Sequence, residues 1–123
     1  MKIYLAHSTG YNFEAELYKP IQASLSKEND VYYPHQQPNQ GTHSKDIITN
    51  SDIVLAEVSH PSTGQGIELG WANDHNVPVL CFYRTGVKIS HALRFVSDMF
   101  IEYSTSQDMS AKLLSALGHY KKD

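Results

Sequence analysis

Cysteine, long apolar runs and basic residues are all scarce in this sequence of 123 residues. The lone cysteine, Cys81, cannot form an intramolecular disulfide or a cysteine-based metal site, so disulfide and zinc-finger scaffolds are excluded. The apolar runs are much shorter than the ~20 residues of a membrane-spanning helix, and the first residues, MKIYLAHS, lack a signal-peptide pattern. We therefore expect a cytoplasmic protein with no membrane partner.

The charge balance disfavours a nucleic acid polymer as the partner. Ten Lys and Arg stand against 13 Asp and Glu, which gives a formal net charge of −3, whereas proteins that bind polyanions are usually basic. A small anion can still bind locally, because the segment 84–94 contains Arg84, Lys88 and Arg94 and no acidic residue. A solvated loop without a binding role is the alternative for that segment.

Metal chemistry is not indicated by the sequence. None of the seven histidines forms an H-x-x-x-H pair or lies at ligand spacing from the cysteine. We therefore predict that the protein uses no metal and no cofactor.

Short apolar segments alternate with helical patterns along the chain. The segments 52–58, DIVLAEV, and 78–83, PVLCFY, are near-continuous apolar runs, which are typical of strands buried on both faces of a sheet. The predicted strands are 2–6, 31–33, 52–58, 78–83 and 100–103, and the predicted helices are 12–27, 44–50, 64–75, 91–98 and 106–120. This alternation predicts a single α/β domain over 1–123, with a doubly wound (Rossmann/flavodoxin-like), five-stranded parallel sheet and helices on both faces.

Three details of the helices can be predicted. Asn12 is a candidate cap for the first helix, and Pro20 within that helix should produce a kink. The last helix should bury one apolar stripe, which consists of Met109, Leu113, Leu114 and Leu117.

The loop after the third predicted strand is the most informative candidate site. Ligands of open parallel sheets bind beyond the carboxyl ends of the strands, where such loops collect. Here the chain runs from strand to turn to Gly64-x-Gly66 and into a helix, which places Glu68 within the first helical turn. Backbone N–H groups and the helix dipole at that point favour an anion, so a bound phosphate and a carboxylate nucleophile both fit. An ordinary acidic residue that stabilises the helix is the alternative for Glu68.

The segment 52–72, DIVLAEVSHPSTGQGIELGWA, resembles the signature of the nucleoside 2-deoxyribosyltransferase superfamily, and most closely its 2'-deoxynucleoside 5'-phosphate N-hydrolase branch. The segments KIYLAHS, PVLCFYR and KIS extend the likeness over most of 1–95. The resemblance implies a doubly wound domain that cleaves the N-glycosidic bond of a small nucleotide substrate through a glutamate nucleophile. It also implies a homodimer in which each subunit contributes to the site of the other.

The resemblance assigns roles to particular residues. It implies that Glu68 is the nucleophile and that Tyr4 positions the nucleophile and the sugar. The substrate-binding residues that it implies in the strand-to-helix loops are Ser8, Ser62, Gly64, Gly66 and Ser90. The three serines would hold the 5'-phosphate, since hydroxyls can donate hydrogen bonds without adding charge. A turn or capping role is the alternative for each serine.

One position departs from the family pattern. The family aspartate, eight residues before the aspartate that opens the third strand, corresponds here to Ser44. His43 and Asp46 flank that position, so a small shift of the short helix can bring either into the site. We assign Asp46 to catalysis, and Ser44 and His43 to substrate binding.

Two functions remain open beside hydrolysis to free base and (deoxy)ribose 5-phosphate. A second base instead of water would make the protein a nucleoside 2-deoxyribosyltransferase, although the serine trio favours a phosphorylated substrate and therefore the hydrolase. A domain without the family aspartate can also bind or sense nucleotides without cleaving them.

Overall fold

A computed structural model describes residues 1–36 and 44–121 of the chain. The strands are β1 (Lys2–His7), β2 (Asp30–Tyr32), β3 (Ile53–Glu57), β4 (Val79–Arg84) and β5 (Met99–Tyr103). They form one sheet in the order β2-β1-β3-β4-β5, and each neighbouring pair is parallel. The α-helices are α1 (Lys19–Ala23), α2 (Ser44–Thr49), α3 (Thr63–Asp74) and α4 (Ser106–Lys121). The predicted five-stranded parallel sheet is therefore confirmed.

Each face of the sheet has its own hydrophobic core. Ile3 and Leu5 of β1 pack in one core with α1 and α4, while Tyr4 and Ala6 pack in the other core with α2 and α3. Strand β3 is buried along its whole length, which explains why its sequence is continuously apolar rather than alternating. The helices thus cover both faces, as expected for a doubly wound sheet.

The first predicted helix, 12–27, is divided into three segments. A π-helical turn at Glu14–Tyr18 precedes α1, and a 3-10 turn at Leu25–Lys27 follows it. Helical backbone continues from the π-helical turn into α1 without a break, so the missing N–H of Pro20 interrupts the hydrogen-bond ladder where the two segments join. A kink was expected at Pro20, and the structure has a π-helical turn directly before α1. The cap is confirmed, because the Asn12 side-chain oxygen accepts the Ala15 N–H at 3.4 Å.

The last helix corrects one assignment in the predicted stripe. Met109, Leu113 and Leu117 are buried against the sheet, but the side chain of Leu114 is 41% exposed. Consecutive helical residues lie about 100° apart around the axis, so Leu114 cannot share the face of its buried neighbour. In the part of the chain that the structure describes, no helix combines the length and the apolar character needed to cross a bilayer.

His7 ends β1 and ties this strand to the first helical segment. It is 4% exposed, and its ring contacts the rings of Phe13, Tyr18 and His35. Its Nδ1 donates to the Ser8 carbonyl at 2.8 Å, and its Nε2 accepts from the Tyr18 hydroxyl at 2.6 Å. Both contacts suit a neutral imidazole. Burial, reinforced by the nearby His35, lowers the pKa of His7 to about 4.

We expect this histidine to make folding sensitive to mild acid. Because the pKa of His7 is lower in the folded state than in the unfolded chain, protons favour unfolding as the pH falls from about 6.5 to about 4. The corresponding loss of unfolding free energy is about 3 kcal/mol at the acid end. In His7→Gln the side-chain carbonyl can still accept from Tyr18, but this part of the pH dependence should disappear. Urea unfolding of both proteins at pH 7 and pH 4.5 measures it, and equally steep losses would contradict the assignment.

Candidate active site

The centre of the candidate site is the carboxylate of Glu68, which three elements position together. Tyr4, in the middle of β1, donates its hydroxyl hydrogen to Glu68 Oε2 at 2.5 Å. Ser44, the first residue of α2, has side-chain hydrogen bonds with both Tyr4 and Glu68. The structure therefore brings together the two residues that the resemblance assigned to catalysis, and it adds Ser44 to them.

The position of Glu68 along α3 differs from the expectation. Ser62 is the N-cap of α3, and its Oγ accepts the Gln65 N–H at 3.3 Å. Since the helix begins at Thr63, Glu68 lies in its second turn and not in its first. The effect of the helix dipole falls off beyond the first turn, so Tyr4 and Ser44 have the larger part in positioning this carboxylate.

Burial determines the protonation properties of this pair. Removal from water raises the pKa of Glu68, and the hydrogen bonds from Tyr4 and Ser44 offset part of that rise. Burial and the adjacent Glu68 carboxylate raise the pKa of Tyr4 well above its ordinary value. Tyr4 therefore stays a hydrogen-bond donor, and Glu68 is a partly desolvated carboxylate whose Oε2 is held by that donor.

Two serines of the predicted phosphate trio, Ser62 and Ser90, line one cavity, and Ser8 is not among its lining residues. This cavity, which we call the serine cavity, has a volume of about 330 Å³ and is also lined by Gly66 and Lys88. Both serines are caps: Ser62 accepts from Gln65, and Ser90 Oγ accepts the Ala92 N–H at 3.2 Å. A serine oxygen that accepts a capping bond still has its own hydrogen to donate, so capping and anion binding are compatible.

The other predicted substrate-binding residues lie in the same region of the fold. Ser8 is buried directly after β1, and its Oγ accepts the Gly10 N–H at 3.1 Å. Gly64 and Gly66 are in the first turns of α3, and a Cβ built at either would meet no atom of residues 1–36 or 44–121 within 4 Å. Packing against the described part of the chain thus does not require these glycines, although glycine in a helix costs about 1 kcal/mol relative to alanine. The space beside them is available to a ligand.

The structure does not bring Asp46 to the site. Its side chain is exposed and lines a different cavity, with Lys2 and Asp30, at the amino ends of β1 and β2. The expected shift of α2 toward Glu68 is therefore not observed, because the first residue of α2, Ser44, occupies that place. His43, the other proposed replacement, lies outside the described residues.

A buried polar group beside the serine cavity was missed by the sequence reasoning. Glu57, the last residue of β3, is 1% exposed and accepts hydrogen bonds from Ser59 and Tyr103. The signal was present in the sequence, since a charged residue inside the apolar run DIVLAEV must be paired if it is buried.

The positive segment after β4 is less available than its sequence suggests. Arg84 pairs with Glu16 and lies over the ring of Tyr11, and Arg94 lies over the ring of Phe100 at 5.6 Å. Lys88 remains as a lining residue of the serine cavity. Within 1–36 and 44–121, no three His, Cys, Asp or Glu side chains are grouped to hold a metal ion.

Comparison with known proteins gives consistent results. No family model matches the chain. The 5-hydroxymethyl-dUMP N-hydrolase of Tetraodon nigroviridis is 32% identical over 134 aligned positions, which cover 93% of this chain and 94% of that protein. A Nematostella vectensis protein assigned as 2'-deoxynucleoside 5'-phosphate N-hydrolase 1 is 38% identical over 99 positions, which cover 68% of this chain and 67% of that protein.

A solved structure shares the architecture. The CMP N-glycosidase of Clostridium botulinum superposes with a TM-score of 0.71 and covers 92% of this chain and 97% of its own. Its sequence identity to this chain is 23%, so the likeness concerns the fold.

Proposed function

Because the chain belongs to the 2'-deoxynucleoside 5'-phosphate N-hydrolase family of the nucleoside 2-deoxyribosyltransferase superfamily, we infer that it cleaves the N-glycosidic bond of nucleoside 5'-monophosphates with Glu68 as nucleophile. The observation that carries the assignment of Glu68 is its contact with Tyr4 at 2.5 Å. A partly buried carboxylate held by a neutral donor is suited to attack an anomeric carbon.

The proposed reaction has two steps. Glu68 Oε1 attacks C1' of the sugar while the C1'–N bond breaks and its electron pair leaves with the base, through an oxocarbenium-like transition state. The product of this step is a glycosyl ester on Glu68 and a base that takes up a proton. Water then attacks C1' and gives up one proton to the solvent while the C1'–O bond to Glu68 breaks. Glu68 leaves as a carboxylate, and the products are the free base and (deoxy)ribose 5-phosphate.

Tyr4 supports both steps by the same hydrogen bond. Its hydroxyl holds Oε2 and so directs Oε1 toward the sugar. When the ester breaks, that hydroxyl donates to the carboxylate that is released. The raised pKa of Tyr4 keeps the proton on the tyrosine throughout, so that Tyr4 orients Glu68 without titrating.

Ser44 changes the family chemistry at the leaving base. A serine hydroxyl is far too weak an acid to replace an aspartic acid as proton donor at neutral pH. We assign it a positioning role instead, because it hydrogen-bonds to both Tyr4 and Glu68. On this proposal the base takes its proton from water.

The serine cavity is the proposed site of the 5'-phosphate. Ser62 and Ser90 can donate their hydroxyl hydrogens to phosphate oxygens, and Lys88 adds a positive charge. In a chain with a net charge of −3, a lysine on this cavity supports the proposal that an anion binds there. A phosphorylated substrate and a free buried thiol at Cys81 also fit a cytoplasmic location.

The first experiment is chromatographic detection of free base after incubation with 2'-deoxynucleoside and ribonucleoside 5'-monophosphates and with unphosphorylated nucleosides. We expect release from the monophosphates, and Glu68→Gln should lower it at least about a thousandfold. The exposed Glu28→Gln is the matched control and should not change it. Activity should fall in acid at a higher pH than for an exposed glutamate, since the pKa of Glu68 is raised.

Two results would contradict this function. No base from any substrate, with nucleotide binding retained, would indicate a binding domain. Base exchange with an added second base, in preference to hydrolysis, would indicate a transferase.

The phosphate assignment can be separated from helix capping. Ser62→Ala removes both a cap and a proposed phosphate donor, whereas Thr105→Ala removes only a cap, that of α4, where Thr105 Oγ accepts the Asp108 N–H at 3.0 Å. Each should lower the free energy of unfolding by about 1 kcal/mol. Only Ser62→Ala should raise the KM for a monophosphate, by about tenfold, as expected for one hydrogen bond to a charged group. Equal KM values for the two variants would remove Ser62 from the phosphate site.

A homodimer with shared sites is the proposed assembly. Phe95 is 83% exposed and Ile67 is 51% exposed, and both are close in sequence to residues of the serine cavity, Leu93 and Gly66. Large exposed apolar side chains beside a binding site are favourable contacts for a second copy of the chain.

Sedimentation velocity tests this assembly. Wild type should sediment as a dimer, and Phe95→Ser should shift it to monomer and lower activity together. Leu114→Ser, at the 41% exposed position on α4, is the matched control and should stay dimeric. A wild-type monomer with full activity would rule the dimer out.

A further inference from the structure

We propose that Glu57 is a positioning residue that aligns the phosphate-binding turn with the nucleophile-bearing helix. The inference rests on the proposed function and adds a residue to it. Glu57 is the last residue of β3, at the carboxyl edge of the sheet, and it does not contact Tyr4 or Glu68 through any of the hydrogen bonds described for its own atoms.

The side chain of Glu57 holds the start of the turn that leads to Ser62. Its Oε1 accepts the Ser59 N–H at 2.6 Å, and its Oε2 accepts the Ser59 hydroxyl at 2.9 Å and the Tyr103 hydroxyl. Ser59 Oγ in turn accepts the Arg84 N–H at 2.9 Å. One carboxylate thus joins β3 and β5 to the turn, and through Ser59 it also joins β4.

The main chain of Glu57 holds the helix. Its carbonyl accepts from Gln65 Nε2 at 2.8 Å, and Gln65 is buried. Glu68 follows Gln65 by three residues, so the two side chains share one side of α3. A displacement of Gln65 would therefore move the carboxylate that attacks the sugar.

The chemistry of the group suits this role. A buried carboxylate is costly unless its oxygens accept hydrogen bonds, and the donors that contact Glu57 are neutral. An ionised carboxylate can accept all three of these hydrogen bonds at once, which neither an amide nor an apolar side chain can do. Glu57 consequently fixes the positions of Ser59 and Tyr103, and its burial costs some of the free energy of folding.

The hydrogen bonds of the Glu57 side chain and the hydrogen bond of the Glu57 carbonyl predict different kinetic effects. The hydrogen bonds that the Glu57 carboxylate accepts are weakened by each of three variants, Glu57→Gln, Ser59→Ala and Tyr103→Phe. With deoxyuridine 5'-monophosphate as the substrate, these variants should show a KM raised by about tenfold and a kcat changed by less than about threefold. Gln65→Met removes the hydrogen bond to the Glu57 carbonyl and should lower kcat more than it raises KM. Tyr33→Phe is the matched control, because it removes a tyrosine hydroxyl that pairs with Ser26 outside this network.

Binding and melting measurements complete the test. Kd values for deoxyuridine and for its 5'-monophosphate are measured by calorimetry. The ratio of these two values, which is the preference for the phosphate, should fall about tenfold in Glu57→Gln. The Kd for the nucleoside itself should stay within about twofold of wild type. If Glu57→Gln does not fold, Ser59→Ala and Tyr103→Phe carry the same test.

The outcomes separate the two proposals. Variants with lower melting temperatures but wild-type KM, kcat and phosphate preference would show that Glu57 is only structural. A wild type that releases no base would overturn the proposed function, whereas the calorimetric preference would still decide the role of Glu57.

Discussion

Parallel pairing of β1 with β3 is the constraint on which the rest of the molecule depends. The register sets Tyr4 beside Val54 and His7 beside Glu57, so both strands end at the same level. The loops that follow them start side by side, and α3 returns across the face on which Tyr4 lies. Tyr4 lies on β1, and Ser62 and Glu68 follow β3, so these three groups are positioned from this pair of strands. Their burial on both faces makes a slip of register expensive, since each slip would exchange the contents of the two cores.

The electrostatics of the site follow from the same burial. Glu68 sits over the sheet rather than at the first turn of its helix, so desolvation and the Tyr4 hydroxyl set its properties. An ionised carboxylate that accepts few hydrogen bonds is poorly stabilised before it reacts. That condition costs folding free energy and favours attack on an electron-poor carbon.

The parts of the fold that are encoded locally could be predicted from the sequence. The apolar run of β3 indicated a central strand, and the Gly64-x-Gly66 turn indicated the start of α3. Glu68 and Tyr4 were identified by resemblance, and the structure brings them into contact. The pattern of apolar residues along the sequence was insufficient where the angle of a residue around the helix axis decides whether its side chain is buried or exposed. Leu114 is turned outward beside a buried neighbour, and Asp46 points away from Glu68 although Ser44, two residues earlier, reaches it.

The buried network around Glu57 could not be predicted because its partners are distant in sequence. Tyr103 lies on the edge strand and reaches Glu57 across β4, which is a contact of tertiary structure and not of periodicity. The sequence shows that Glu57 is a charged residue in an apolar run, but it does not indicate which residues donate hydrogen bonds to it.

Helix α3 has the nucleophile toward β1 and the serine cavity toward the loop that follows β4. A helix is stiff along its axis, with a rise of about 1.5 Å per residue, so the separation between these two places hardly varies. On the proposed function, α3 therefore works as a molecular ruler. Its length sets the distance between the phosphate site and the attacked carbon, so a sugar in which these two groups are farther apart or closer together would not fit both places.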